Sequence, residues 1–154
     1  MAAHDDYASL WRWSVQQPEE FWPSVWRFCG VKSSGRWDSV MTPCEGLRQV
    51  TWFPGARSNF AENLLWFQDD SAAIIACNES GQRRELTHWE LHSEVPRMAQ
   101  ALRASGIVAG DRVAGYLPNI PEAVIAMLAA ASIGAVWSSC SPDFGVASVL
   151  DRCG

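Results

Sequence analysis

Lysine is nearly missing from this chain. Lys32 stands alone among 154 residues, and acidic groups outnumber basic ones 17 to 12, for a net charge of −5. That balance supplies no basic footprint for nucleic acid or an anionic membrane. Long hydrophobic runs are also missing. The most apolar stretch, Ala123–Trp137, is too short for a bilayer and is broken by Ser132 and Gly134. The five cysteines (Cys29, Cys44, Cys77, Cys140 and Cys153) are scattered, odd in number and form no C-x-x-C pair. Met1–Tyr7 carries His4, Asp5 and Asp6 where a secretory signal would have a basic start and an apolar core. A soluble, cytoplasmic protein is expected, with reduced thiols. No G-x-x-x-x-G-K-[ST] phosphate loop and no G-x-S-x-G elbow occurs.

Tryptophan is what the chain has in excess, with seven of its nine copies before residue 67. Residues 1–68 therefore read as an aromatic-rich helical leader. Tyr7, Leu10, Trp11 and Ser14 follow helical spacing, and so do Phe21, Trp22, Val25, Trp26 and Cys29. Pro23 is tolerated if the second helix begins near Trp22, but costs about 3 kcal/mol if it begins at Pro18. Residues 30–48 read as irregular connection, and Trp52–Ala56 as a rigid turn. Asn59, with Glu62 three positions on, should cap a helix running through Leu64, Leu65 and Phe67.

Residues 69–154 read differently, as layered α/β structure. Ala72–Cys77 and a strand ending at Leu86 form a hairpin around the turn Glu79–Gln82. Thr87 and Glu90 form a capping box for a helix that ends at Gly106 and contains Pro96. Gly110-Asp111 then leads into a strand, Arg112–Leu117. Asn119 and Glu122 suggest a further capping box, with Pro121 in the first turn. The helix they open is alanine-rich and stops at Gly134, and Ala135–Cys140 is the next strand. That strand–helix–strand order is one parallel crossover unit. A parallel sheet is normally buried on both faces, so the chain reads as the incomplete front end of a larger α/β protein.

Few residues here carry an obvious chemistry. His88 and His92 lie four apart on a helix, but H-W-E-L-H is not the H-E-x-x-H metal pattern, and two solvated histidines are expected. Gly106, Gly110 and Gly115 precede or enter a strand instead of following one. They are read as a helix stop, a turn and a position crowded by a neighbour, not as a dinucleotide fingerprint. Lys32 is read as a solvated loop residue. Ser138–Asp143 is the more promising segment, because ligands gather at the carboxyl ends of parallel strands. Its hydroxyls and Asp143 are candidates to line a groove. The alternative is a Pro/Asp turn with Ser141 or Asp143 capping the next helix.

Three segments carry a family resemblance. WFPGARSNFAENLL (Trp52–Leu65) resembles the leader signature of the acetoacetate–CoA ligases. GDRVAGYLPNIPEA (Gly110–Ala123) is similar to the first strand–helix step of AMP-forming acyl-CoA synthetases, the adenylate-forming superfamily. WSSCSPDFG (Trp137–Gly145) resembles the acetoacetate branch. The resemblance implies the N-terminal part of a large α/β domain, with residues 1–68 as leader and 69–154 as the start of the AMP-binding domain. It implies that the parent enzyme activates acetoacetate with ATP and Mg2+ to an acyl-adenylate and transfers the acyl group to coenzyme A. It implies no catalytic and no metal-binding residue within this chain, which alone is expected to be inactive, since the family's nucleotide motifs lie further along. It places Ser141, Pro142 and Asp143 on the coenzyme A side, although they do not match the glycines of acetyl-CoA synthetase relatives. Ser58 departs from the family's leucine, Cys153 from its phenylalanine, and Pro23 and Pro96 fall within its helices. The expectation is a gene fragment. An acetate– or propionate–CoA ligase, or a non-catalytic α/β binding module, are the alternatives.

Overall fold

The computed structural model describes residues 6–42 and 50–153. The chain forms two compact units, Met1–Ser58 and Asn59–Gly154. Cys44 lies outside the described residues.

In the first unit, α1 (Tyr7–Gln16) and α2 (Pro18–Phe28) are joined by Gln17 alone. Asp6 caps α1, its carboxylate accepting from the Ser9 amide at 2.7 Å. Helix α2 starts at Pro18, so Pro23 falls well inside it. The proline removes one main-chain hydrogen bond and crowds the carbonyl a turn earlier. In return its ring is the buried residue of α2. Ring contacts hold the remainder of this unit. Trp13 meets Phe21 edge-on at 5.1 Å, and Phe53 packs against Trp26 at 4.6 Å and Trp37 at 5.2 Å. Phe53 occupies the left-handed region at φ 47 and is followed by Pro54 and Gly55 (φ 90). Ala56 N–H donates to the Phe53 carbonyl at 3.0 Å, closing a type II turn that needs glycine at its third position. A side chain there would also strike the Arg36 carbonyl oxygen, 2.7 Å from the added carbon.

The second unit opens with α3 (Phe60–Leu64), shorter than the sequence pattern suggests because Leu65 already leaves helical geometry. A hairpin follows, β1 (Ala72–Cys77) antiparallel to β2 (Arg83–Thr87), with a bulge between Ala72 and Ile74. Helix α4 (His88–Ala104) begins with the expected capping box: Thr87 Oγ1 accepts from the Glu90 amide at 3.1 Å, and Glu90 accepts from the Thr87 amide at 2.8 Å. Next come β3 (Arg112–Tyr116), α5 (Pro121–Ser132) and β4 (Val136–Cys140). The two strands pair in parallel, from Arg112↔Val136 to Tyr116↔Cys140. Helix α6 (Val146–Cys153) ends the described chain.

The expected box at Asn119 and Glu122 does not form. Residue 120 precedes proline, which disfavours helical geometry there. Ile120 is accordingly extended and takes the cap position without a side-chain bond. The Glu122 carboxylate turns to Arg84 of β2 instead.

The core lies between the helices and the hairpin. Leu86, Leu91, Val95 and Ala99 pack with Ile125, Leu128, Ala129 and Ala61. Leu86, Leu91, Val95, Ile125 and Leu128 each contribute roughly 1.5–3 kcal/mol by their burial, and the alanines less. Alanines 126, 129 and 130 let α5 approach its neighbours closely. The β3–β4 pair is less covered. Arg112, Ala114 and Tyr116 alternate outward, and Val136 is 54% exposed. The two-sided burial typical of a parallel sheet is therefore not reached among the described residues.

Asn59 joins two helix ends that the sequence pattern leaves unconnected. Its Oδ1 accepts from the Glu62 amide at 3.2 Å, as expected of a cap. Its Nδ2 also donates to the carbonyls of Ala131 (3.2 Å) and Ser132 (3.1 Å), at the end of α5. One amide thus serves an N-terminus and a C-terminus at once.

Candidate functional site

Parallel strands deliver their carboxyl ends to the same edge, and β3 and β4 emerge together at Tyr116 and Cys140. The Leu117 amide continues the pairing by donating to the Cys140 carbonyl at 3.3 Å. The expected crowding at Gly115 is real and comes from two sides. A β-carbon there would lie 2.5 Å from both the Trp137 ring and Leu117 Cδ2. Gly106 and Gly110 both have positive φ, at the helix stop and the turn assigned to them.

Beyond β4 the chain folds into a turn. The Phe144 amide donates to the Ser141 carbonyl at 3.0 Å, and Ser141 Oγ donates to Asp143 Oδ2 at 2.8 Å. Tyr116 fixes this turn from the neighbouring strand. Its hydroxyl lies 2.8 Å from the Pro142 carbonyl oxygen and 3.2 Å from that of Phe144. Tyr116 escaped the sequence reading, because only the parallel register brings it beside residues 26 and 28 positions later. Pro142 and Asp143 are exposed and Ser141 half-buried. Helix α6 begins at Val146, so neither Ser141 nor Asp143 holds its cap position. The segment is a Pro/Asp turn, with its polar atoms at the strand edge.

Its chemistry is that of a hydrogen-bonding lip. Asp143 offers a carboxylate acceptor, and Arg152 stands nearby with its guanidinium 5.0 Å from the Phe144 ring centroid. The Cys140 thiol is held above its ordinary value, first by burial and then by the Cys153 thiol beside it. His88 and His92 do not converge on a site. His88 lies against the Phe67 ring at 5.4 Å, and His92 Nε2 is 2.9 Å from Gln68 Nε2. Among the described residues no group of three His, Cys, Asp or Glu side chains could hold a metal. No helix among them is long and apolar enough to cross a membrane.

The family model described as AMP-binding enzyme matches residues 65–153, more than half of the chain. The chain belongs to the AMP-binding enzyme family. A second model, described as acetyl-coenzyme A synthetase N-terminus, covers residues 7–64. Acetoacetyl-CoA synthetase from Danio rerio is 49% identical over 150 residues, spanning 96% of this chain and 22% of that protein. Malonamoyl-CoA synthetase from Penicillium aethiopicum is 40% identical over 95% of this chain and 21% of its own. Among solved structures, acetoacetyl-CoA synthetase from Streptomyces lividans superposes with a TM-score of 0.90 at 42% identity, over 98% of this chain and 24% of that one. The fold is thus the N-terminal part of such an enzyme. The chain spans just over a fifth of the length of the curated relatives it matches.

Proposed function

We propose that this chain supplies the leader (1–68) and the opening of the AMP-binding domain (69–154) to an acetoacetyl-CoA synthetase. In that reaction acetoacetate attacks ATP to give acetoacetyl-adenylate and pyrophosphate. Coenzyme A then displaces AMP, leaving the acetoacetyl thioester. The observation that carries this reading is the 0.90 TM-score at 42% identity to an acetoacetyl-CoA synthetase across 98% of the chain. It is strengthened by relatives at 45–49% identity whose names state the same activity. The same matches favour a ligase over a self-contained binding module. Cytoplasmic residence belongs to the same proposal and rests on the scattered, unpaired spacing of the cysteines in the sequence.

Within this reading the chain binds and positions, and performs no covalent step. Among the described residues no group of three His, Cys, Asp or Glu side chains could hold Mg2+, so no residue is assigned to it. The turn Ser141–Asp143 fits the amide-bearing arm of coenzyme A, whose N–H groups can donate to the exposed Asp143 carboxylate. It does not fit that cofactor's phosphates. Tyr116 is the positioning residue of the turn.

The test is a chimera in which this chain replaces the matching segment of the Streptomyces lividans enzyme. Acetoacetate-dependent pyrophosphate release and thioester formation should be retained, and the 154-residue chain alone should give neither. A soluble, folded chimera that forms no adenylate would refute the proposal. In the chimera Asp143→Ala should raise KM for coenzyme A and leave adenylate formation unchanged; an unaltered KM would remove the turn from the site. The fungal relative supports a second reading, in which the acid is malonamate. A kcat/KM comparison of the two acids on the enzyme bearing this chain distinguishes them.

A further inference from the structure

We infer that Cys140 and Cys153 are a reversible redox pair, forming a disulfide that ties the last turn of α6 to the carboxyl end of β4. Their sulfurs lie 3.9 Å apart although the residues are 13 positions apart and sit on different elements. A disulfide requires about 2.05 Å, so the approach needed is about 2 Å. Helix α6 has eight residues, none of them buried, and Cys153 is its last residue. Arg152, stacked on Phe144, keeps that end beside the turn independently of the thiols. The two cysteines also differ in access, since Cys140 is 3% exposed and Cys153 is exposed. A soluble oxidant therefore reaches Cys153 first, and Cys140 is hidden from every partner but its neighbour.

With a small-molecule disulfide such as oxidised glutathione as the oxidant, the chemistry balances. The Cys153 thiolate attacks one sulfur, and one glutathione thiolate leaves and takes up a proton. The Cys140 thiolate then attacks Cys153 Sγ, expelling the second glutathione. Two protein thiols are oxidised by two electrons and one glutathione disulfide is reduced to two thiols. Burial of Cys140, which raises its thiol, slows the second step at neutral pH. The product would clamp the Ser141–Gly145 turn between two fixed ends. The inference rests on this geometry alone and stands whichever ligand the turn meets.

The test equilibrates the 154-residue chain in glutathione redox buffers, alkylates the remaining thiols and maps tryptic peptides by mass. Trypsin cleaves after Arg112 and Arg152, so the disulfide appears as the Val113–Arg152 peptide carrying the C-terminal Cys153-Gly154 dipeptide. The pair should oxidise at potentials that leave Cys29 and Cys77 alkylated. Its yield should fall about tenfold or more in the same buffer with denaturing urea. Cys153→Ser should leave Cys140 unreacted in the folded chain. Equal cross-linking in folded and unfolded chain would overturn the inference, because chain proximity alone would then explain it. Cys153 carrying glutathione while Cys140 stays reduced would overturn it as well.

Discussion

Removing the double cap at Asn59 should cost more than a helix cap ordinarily does. The acceptor bond to the Glu62 amide is worth about 1 kcal/mol. The two donor bonds, to Ala131 and Ser132, add about 0.5–1.5 kcal/mol each when their carbonyls are left without a protein partner. Asn59 is only partly buried, so water recovers some of this, and Asn59→Ala should lose roughly 2–3 kcal/mol in all. With a urea dependence of about 1–2 kcal/mol per molar, the unfolding midpoint falls by roughly 1–3 M. Asn59→Asp is the sharper test. Aspartate matches asparagine as a cap, so a cap-only account predicts almost no change. The structure predicts a loss of about 1–2 kcal/mol, because both donors vanish and a carboxylate faces the negative end of α5. Urea unfolding by circular dichroism gives the magnitude, and amide exchange locates the loosening at the end of α5. An Asn59→Asp chain as stable as the parent would refute the double-cap reasoning.

Three further outcomes follow from named contacts. Gly115→Ala pushes a methyl into the Trp137 ring and Leu117 Cδ2 and should cost about 1–3 kcal/mol; in a Trp137→Leu, Leu117→Ala background the same substitution should cost much less, and an equal cost in both backgrounds would disprove the clash. Pro96 is exposed inside α4, so Pro96→Ala restores a helix hydrogen bond without loss of packing and should raise stability by about 1–3 kcal/mol; a midpoint that falls in urea contradicts this. Arg84, by its hydrogen bond, holds the Glu122 carboxyl below its ordinary value of 4.5. A depressed folded value gives stability that is present above the unfolded value and lost as pH falls through the folded one. Glu122→Gln should therefore flatten the acid limb of a stability–pH profile below about pH 5 and leave neutral pH nearly unchanged; an unaltered acid limb counts against the pair.

What could be read from sequence was what is decided within one turn of chain. The Thr87–Glu90 box depends on three residues of spacing, and the hairpin on a glycine turn that follows an apolar run. Both appear as expected, as does the parallel β3–α5–β4 crossover. The Asn119–Glu122 box has the same spacing and fails, because Pro121 acts on the geometry of Ile120, and because Arg84, 38 residues away, competes for the carboxylate. The leader gave its two helices but not the start of the second. Pro18 was a better beginning than Trp22 because the buried Pro23 ring helps offset the bond it removes. In the candidate site the position of Ser141–Asp143 at a strand end was legible. Tyr116 was not, nor was the approach of Cys140 to Cys153, because register and the path of α6 create both contacts.

Under the proposed function, charge would set which part of coenzyme A can meet the Ser141–Asp143 turn. A phosphate charge about 5 Å from the Asp143 carboxylate is opposed by about 0.8 kcal/mol in bulk water, and by about 3 kcal/mol at the effective dielectric of a protein surface. A group bearing several such charges multiplies that cost, and the chain's net charge of −5 adds no relief. An amide N–H meeting the same carboxylate gains a charge-assisted hydrogen bond of about 1.5–3 kcal/mol before desolvation. The difference between the two placements is several kcal/mol, so under the proposed function the turn would favour the amide-bearing arm over the phosphates. Arg152 is the nearby cation, held over Phe144 on the α6 side of the turn. If α6 shifts toward β4, as the thiol pair requires, that cation moves with it, and the same small motion alters both the shape and the charge of the lip.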